Sequence, residues 1–190
     1  MRAPFVGTLA LLTLATLIVA ALAHLIVVLL VPVVAAHDAF ARLETLGEPN
    51  ATVLLPQATP TERLIPYADP AVAVSFCRFD LAKGPLRITA PAGRAFASIS
   101  LHTQRGFAFY ALTDRAATQG TIEAVLATPE DIRALEVQDD EEDPSHDLRV
   151  SSPDNQGFVL FRVFSEEPSL YASAEDEARR LSCKTEPLPR

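Results

Sequence analysis

Apolar residues are not spread evenly along the chain. From Ala3 to Ala36 there is no Asp, Glu, Lys or Arg, and Phe5 to Val34 consists almost wholly of Leu, Val, Ala, Ile and Thr. A helix needs about 20 apolar residues to cross a hydrocarbon core of about 30 Å, and Gly7 to Val31 exceeds that length with room for tilt. The pattern predicts an uncleaved signal anchor, a transmembrane helix within residues 1–36 that stops at Pro32. The competing reading is a cleavable signal peptide with small residues at Val34-Ala35-Ala36, but the apolar region of such a peptide is only about 7 to 15 residues long. His24 falls inside the span. Its plain reading is a neutral imidazole facing protein, and its functional reading is a proton-relay or ligand residue.

Residues 37–70 carry Pro49, Pro56, Pro60, Pro66 and Pro70. They read as a proline-rich linker with the first elements of the body: a short helix over Asp38–Leu46, capped by Asp38 and stopped by Gly47, and an edge strand over Ala51–Leu55. Beyond Pro70, short β-branched and aromatic runs alternate with turn residues, which predicts strands at Ala73–Leu81, Leu86–Ala90, Ala95–His102, Phe107–Thr113, Thr121–Leu126, Leu148–Val150 and Phe158–Phe164. Lys83-Gly84-Pro85, Pro91-Ala92-Gly93, Gln104-Arg105-Gly106 and Pro153 to Gly157 supply the turns, with positive φ expected at Gly106. Alternation in Phe96-Ala-Ser-Ile-Ser-Leu101 puts Phe96, Ser98 and Ser100 on one face and Ala97, Ile99 and Leu101 on the other. Thr128-Pro129 opens a helix that runs to about Val137. A last helix is expected from Ser169 to Cys183, with Leu170, Ala174, Ala178 and Leu181 as its buried stripe, before a tail over 186–190. Strands mostly in direct succession indicate an α+β fold, an N-terminal transmembrane helix followed by a β-rich domain over 71–185. That domain is an antiparallel sheet or sandwich with two or three helices.

Charge and chemistry narrow the function. Only Arg2 among the charged residues precedes His37, so the rest of the chain sets 15 basic side chains against 24 acidic ones. Without a Lys/Arg cluster it lacks the footprint that a phosphate backbone requires, and no nucleic acid partner is expected. There is no Gly-x-Ser-x-Gly elbow, His-Glu-x-x-His, Cys-x-x-Cys or phosphate-cradling glycine loop. No catalytic, cofactor-binding or metal residue is therefore assigned, and no cofactor is expected. The run Asp139 to Asp143 lacks the alternating ligands and turn glycine of a calcium loop, and His146 beside it does not complete one, so it reads as a solvated loop. His24, His37, His102 and His146 are too dispersed for a linear ligand motif. His102, at a strand end beside Gln104 and Arg105, forms with them the candidate ligand loop. Arg78 and Asp80 share a strand face and are expected to pair. Asn50-Ala51-Thr52 matches a glycosylation sequon and reads equally as a turn. Cys77 and Cys183 form an even count, which in an exported domain suggests a disulfide tying the terminal helix to the sheet. A link over roughly 100 residues stabilises by up to about 4.7 kcal/mol, whereas two buried thiols are the reading for a cytoplasmic domain.

Asp69-Pro70, Cys77-Arg78-Phe79-Asp80-Leu81, Gly84-Pro85-Leu86-Arg87-Ile88 and Phe96 to Leu101 together resemble the domain of unknown function 1254 family in its short, membrane-anchored bacterial form. The similarity continues through Arg105-Gly106 and Ala111-Leu112-Thr113-Asp114-Arg115 to Pro129. The resemblance implies a β-rich fold and no particular reaction. In longer relatives the domain precedes a second one, of unknown function 1214. The short form is expected to lack it and to meet it on a separate partner protein in the envelope. Where longer relatives carry Asn-x-Asp-Thr-Leu-Tyr, this chain has Ala68-Asp69-Pro70-Ala71-Val72. Only the aspartate is matched, so no site residue is transferred. The expectation is a non-enzymatic, single-span protein of the bacterial inner membrane, its short basic tail inside and its C-terminal domain in the periplasm binding a partner protein. The alternative is a small-ligand carrier or enzyme component whose site a partner completes.

Overall fold

The computed structural model describes residues 3–34, 39–61, 64–65, 67–138 and 147–187. Ala35 and Ala36 of the cleavage reading, His37, Asp38, the run Asp139 to Asp143 and His146 lie outside the described residues. The chain divides into two compact units, Met1–His37 and Asp38–Arg190.

The first unit is one helix, α1 (Ala3–Val34). Its stretch Val6–Val31 is 26 residues of mean hydropathy 2.9, long and apolar enough to cross a membrane. The hydroxyls of Thr13 and Thr16 donate to the carbonyl oxygens of Ala10 and Leu12, each at 2.9 Å. These two hydroxyls are thus satisfied within the helix itself, an arrangement compatible with a lipid surrounding. Pro32 does not stop it: so near the C-terminal end a proline removes a single N–H bond, and two more residues stay helical.

The second unit is built on two sheets. Strands β1 (Thr52–Leu54), β2 (Val72–Asp80), β3 (Leu86–Pro91), β4 (Ala97–Thr103), β5 (Ala108–Thr113), β6 (Thr121–Ala127), β7 (Arg149–Ser151), β8 (Gln156–Phe164) and β9 (Ser182–Thr185) are joined by helices α2 (Ala39–Glu44), α3 (Pro129–Gln138) and α4 (Tyr171–Ala178). One sheet has five strands in the order β1-β2-β8-β4-β5, the other four in the order β7-β6-β3-β9. All pairings are antiparallel except β6 with β7. The α+β reading with a sandwich of strands therefore holds.

Alternation decides what each sheet buries. Ala73, Cys77 and Phe79 of β2, Ala97, Ile99 and Leu101 of β4, and Val159, Phe161 and Val163 of β8 form one core with Leu86, Ile88 and Ala90 of β3 and Ile122, Ala124 and Leu126 of β6. The Ala97-Ile99-Leu101 face is the inner one, as the pattern predicts. The opposite face of the five-stranded sheet is covered over Phe76, Phe158 and Leu160 by Phe40 and Leu43 of α2 and by Leu55. The proline-rich stretch is thus folded against the sheet as a third layer over β2 and β8, and among the described residues the outer face of β4 and β5 is left uncovered.

Several local expectations are met in detail. Thr128 caps α3, its hydroxyl accepting the N–H of Asp131 at 3.1 Å, and Gly106 turns the β4–β5 hairpin at φ +85°. Asn50 sits in a turn at φ +63°, with its side-chain oxygen accepting the Asp80 N–H and its amide donating to Thr185. Two expectations are corrected. Arg78 and Asp80 do not pair: Arg78 bonds Glu44 at 3.3 Å and the Gly47 carbonyl at 3.0 Å, while Asp80 accepts the N–H of Ala82. Arg78 faces α2, whose carboxylate it reaches more easily than a neighbour pointing the same way. The terminal helix ends at Ala178, and Ser182 to Thr185 form β9 along β3. Cys183 therefore lies in a strand, because the edge of β3 offers it a backbone partner that a longer helix would forgo.

Candidate functional site

His102 anchors the polar part of the uncovered face. It follows Ser98 and Ser100 at every second position of β4, so all three point outward. Arg162 of β8 reaches the same face, its partner in register being Ser98. The Nε2 of His102 is 2.9 Å from the Ser100 hydroxyl, and Arg162 donates to that hydroxyl at 2.7 Å. Nδ1 of His102 is 3.3 Å from the carbonyl oxygen of Gly106, and the imidazole stacks on Phe158 with ring centroids 4.8 Å apart and planes within 2°. Gln104 and Arg105 are exposed at the hairpin tip. The imidazole, two and three residues before the exposed Gln104 and Arg105, engages Ser100 and Gly106.

Burial above all holds His102 below its usual titration range; the Gly106 carbonyl opposes this, and the Arg162 charge adds a smaller lowering. Burial also lowers the Arg162 guanidinium. A histidine that resists protonation in the folded state opposes folding once the unfolded chain takes up the proton. Its stability contribution is therefore present above the unfolded value of about 6.5 and is lost as pH falls through the lower folded value. The denaturant midpoint should decline on acidification through that window, and His102→Gln should flatten the decline. An unchanged slope would place the imidazole in water.

Chemically, the cluster orders two strands more than it presents a reactive group. Ser100 is only 8% exposed, and its hydroxyl is already engaged by the imidazole and the guanidinium. Alternation in β4 could have located Ser100; Arg162 shows in the sequence only as a lone charge inside an apolar strand. Asp69 accepts the N–H of Ala71 at 2.9 Å and turns the chain into β2. It borders an apolar cleft of about 440 Å3 lined by Leu46, Leu55, Leu64 and Ile65. Among the described residues no three His, Cys, Asp or Glu side chains gather into a metal-holding group.

The two cysteines do come together. Cys77 of β2 and Cys183 of β9 form a disulfide with Cα atoms 6.6 Å apart, so the bridge ties the two sheets to each other. Another exposed feature is β5. Ala108, Tyr110 and Ala111 are exposed along it, and Phe107 just before it is 70% exposed.

The family model described as "Protein of unknown function (DUF1254)" matches residues 49–185. The structure is similar to the VPA0106 protein from Vibrio parahaemolyticus, at a TM-score of 0.52 and 12% identity, over 78% of this chain and 34% of that one. An uncharacterised protein from Burkholderia cenocepacia aligns at a TM-score of 0.46 and 15% identity, over 80% of this chain and 42% of that one. The first similarity shows a shared fold. The chain spans about a third of the length of the VPA0106 protein. No curated protein matches the chain.

Proposed function

The chain belongs to the DUF1254 family of proteins of unknown function, and we propose that it serves there as a non-enzymatic, single-span protein of the bacterial inner membrane. In this reading α1 is an uncleaved signal anchor, and the two-sheet domain stands in the periplasm and binds a partner protein carrying the domain of unknown function 1214. The observation that carries it is β5. Of the four edge strands, β1 and β7 have three residues and β9 four, whereas β5 has six. An edge of that length with unpaired backbone groups is a template for another chain unless something covers it. Exposed Tyr110 and Phe107 beside it are the residue types that anchor interfaces. The disulfide favours an oxidising compartment, and about two thirds of the similar VPA0106 protein lies beyond the matched part, room for a second domain.

A photo-cross-linking residue in place of Tyr110, in cells that also express a protein with the 1214 domain, should give one covalent adduct with that protein. The same residue in place of Lys184 on β9 should not. Recovery of uncross-linked chain alone from both positions would contradict docking at β5.

The second reading, a small-ligand carrier or enzyme component completed by a partner, is favoured by one feature, a cleft beside α4 with a buried carboxylate.

A further inference from the structure

Between α4, the end of β8 and the β3–β4 connection lies a cleft of about 460 Å3, within the usual size of small-molecule sites. Ala95, Phe164, Leu170 and Ala174 give it apolar walls. Its charged members are Arg94, Glu166 and Glu177, two carboxylates against one guanidinium. Glu177 is the unusual one. It is a carboxylate only 7% exposed, and its Oε1 accepts the N–H of Gly93 at 2.8 Å. The two groups are close: a Cβ at Gly93 would meet the Glu177 carboxylate, which would have to shift. Among the described residues no Lys, Arg or His nitrogen forms an ion pair with Glu177. Buried carboxylates are ordinarily paired with a cation, because one N–H replaces little of the lost hydration.

We propose that this cleft binds a primary alkylammonium group, the ammonium donating to Glu177 and the alkyl chain lying against Phe164 and Leu170. The net negative lining selects a cation, and the apolar walls select one carried on carbon rather than a hydrated metal ion. A free alkylamine and the side chain of a lysine present the same chemistry. The site does not depend on docking at β5.

The test uses the full chain in a non-ionic detergent, with the Gly93 amide resonance as reporter of its bond to Glu177. Pentylamine, pentanol, pentanoate and an Nα-acetyl-lysine amide are titrated in turn. Pentylamine or the lysine derivative should shift the resonance saturably, at least about tenfold more tightly than pentanol or pentanoate, the margin of one charge-assisted bond. Tighter binding of pentylamine assigns the site to a free amine, and tighter binding of the lysine derivative to a protein side chain. Glu177→Gln keeps an acceptor for the Gly93 N–H and should weaken amine binding by about tenfold or more, while Arg94→Gln should not weaken it. Should Glu177→Gln fail to fold, Ser173→Phe at the exposed cleft wall should block the amine equally. Equal binding of amine and alcohol, no binding of either amine, or amine binding indifferent to the Glu177 or Ser173 change would overturn the proposal.

Discussion

Replacing Gly157 by alanine will cost the domain several kcal/mol of stability or prevent its folding. Gly157 lies in β8, opposite Phe79 of β2 on one side and Thr103 of β4 on the other. A Cβ there would run into the carbonyl oxygen of His102 and the ring of Phe79, its Cζ being 2.5 Å away. Overpacking a core ordinarily costs about 1 to 3 kcal/mol. That range assumes side chains that yield, whereas here one obstacle is the backbone of a neighbouring strand and the other a ring that is 1% exposed. The cost should reach the top of the range or exceed it. Denaturant unfolding of the full chain measures it, and a midpoint equal to the parent's would mean that β8 is not seated between β2 and β4.

Replacing Cys183 by serine is the second large effect, acting through the unfolded chain. The bridge joins residues 106 apart in sequence, so its loss restores freedom to most of the domain. The loop-entropy relation sets a ceiling of about 4.7 kcal/mol for such a loop, and bridges commonly deliver less. A loss of about 2 to 4 kcal/mol is expected. β9 is an edge strand held by four residues of β3, so it should exchange its amide hydrogens first in the variant. Cys77→Ser should cost the same, and the double variant no more, since each single change already removes the bond. Peptide mapping of chain isolated under alkylating conditions should recover the cross-linked pair, and two free thiols would contradict the bridge.

The parts legible in the sequence are those fixed by local rules. Alternation assigned Ala97, Ile99 and Leu101 to the core, the Thr128 hydroxyl marked the start of α3, and Gly106 marked a positive φ. What stayed hidden depends on residues far apart in the chain. Nothing near β2 indicates that β8 inserts between it and β4, or that β3, which lies between β2 and β4 in sequence, joins the other sheet. The last element departs from its pattern because Leu181 prolongs the stripe of Ala174 and Ala178 and no breaker stands between Ala178 and Cys183, and only the edge of β3 draws Ser182 to Thr185 into a strand. Phe40, Leu43 and Leu55 were masked by the prolines among them, which read as an extended linker while those three side chains pack on Phe76 and Phe158. At the polar cluster, His102 stood out as the rare residue type. Its partner Arg162 comes from another strand, and Ser100, two positions away, resembled any surface serine.

The proposed envelope partner places the two-sheet domain outside the cytoplasm, where the disulfide is also favoured, with α1 as its uncleaved anchor. A reporter enzyme that folds only after export, fused behind Arg190, tests this directly. The account predicts an active reporter on a chain that keeps its first residues and fractionates with the membrane. An active cytoplasmic reporter at the same position, or a mature chain beginning at His37, would contradict it.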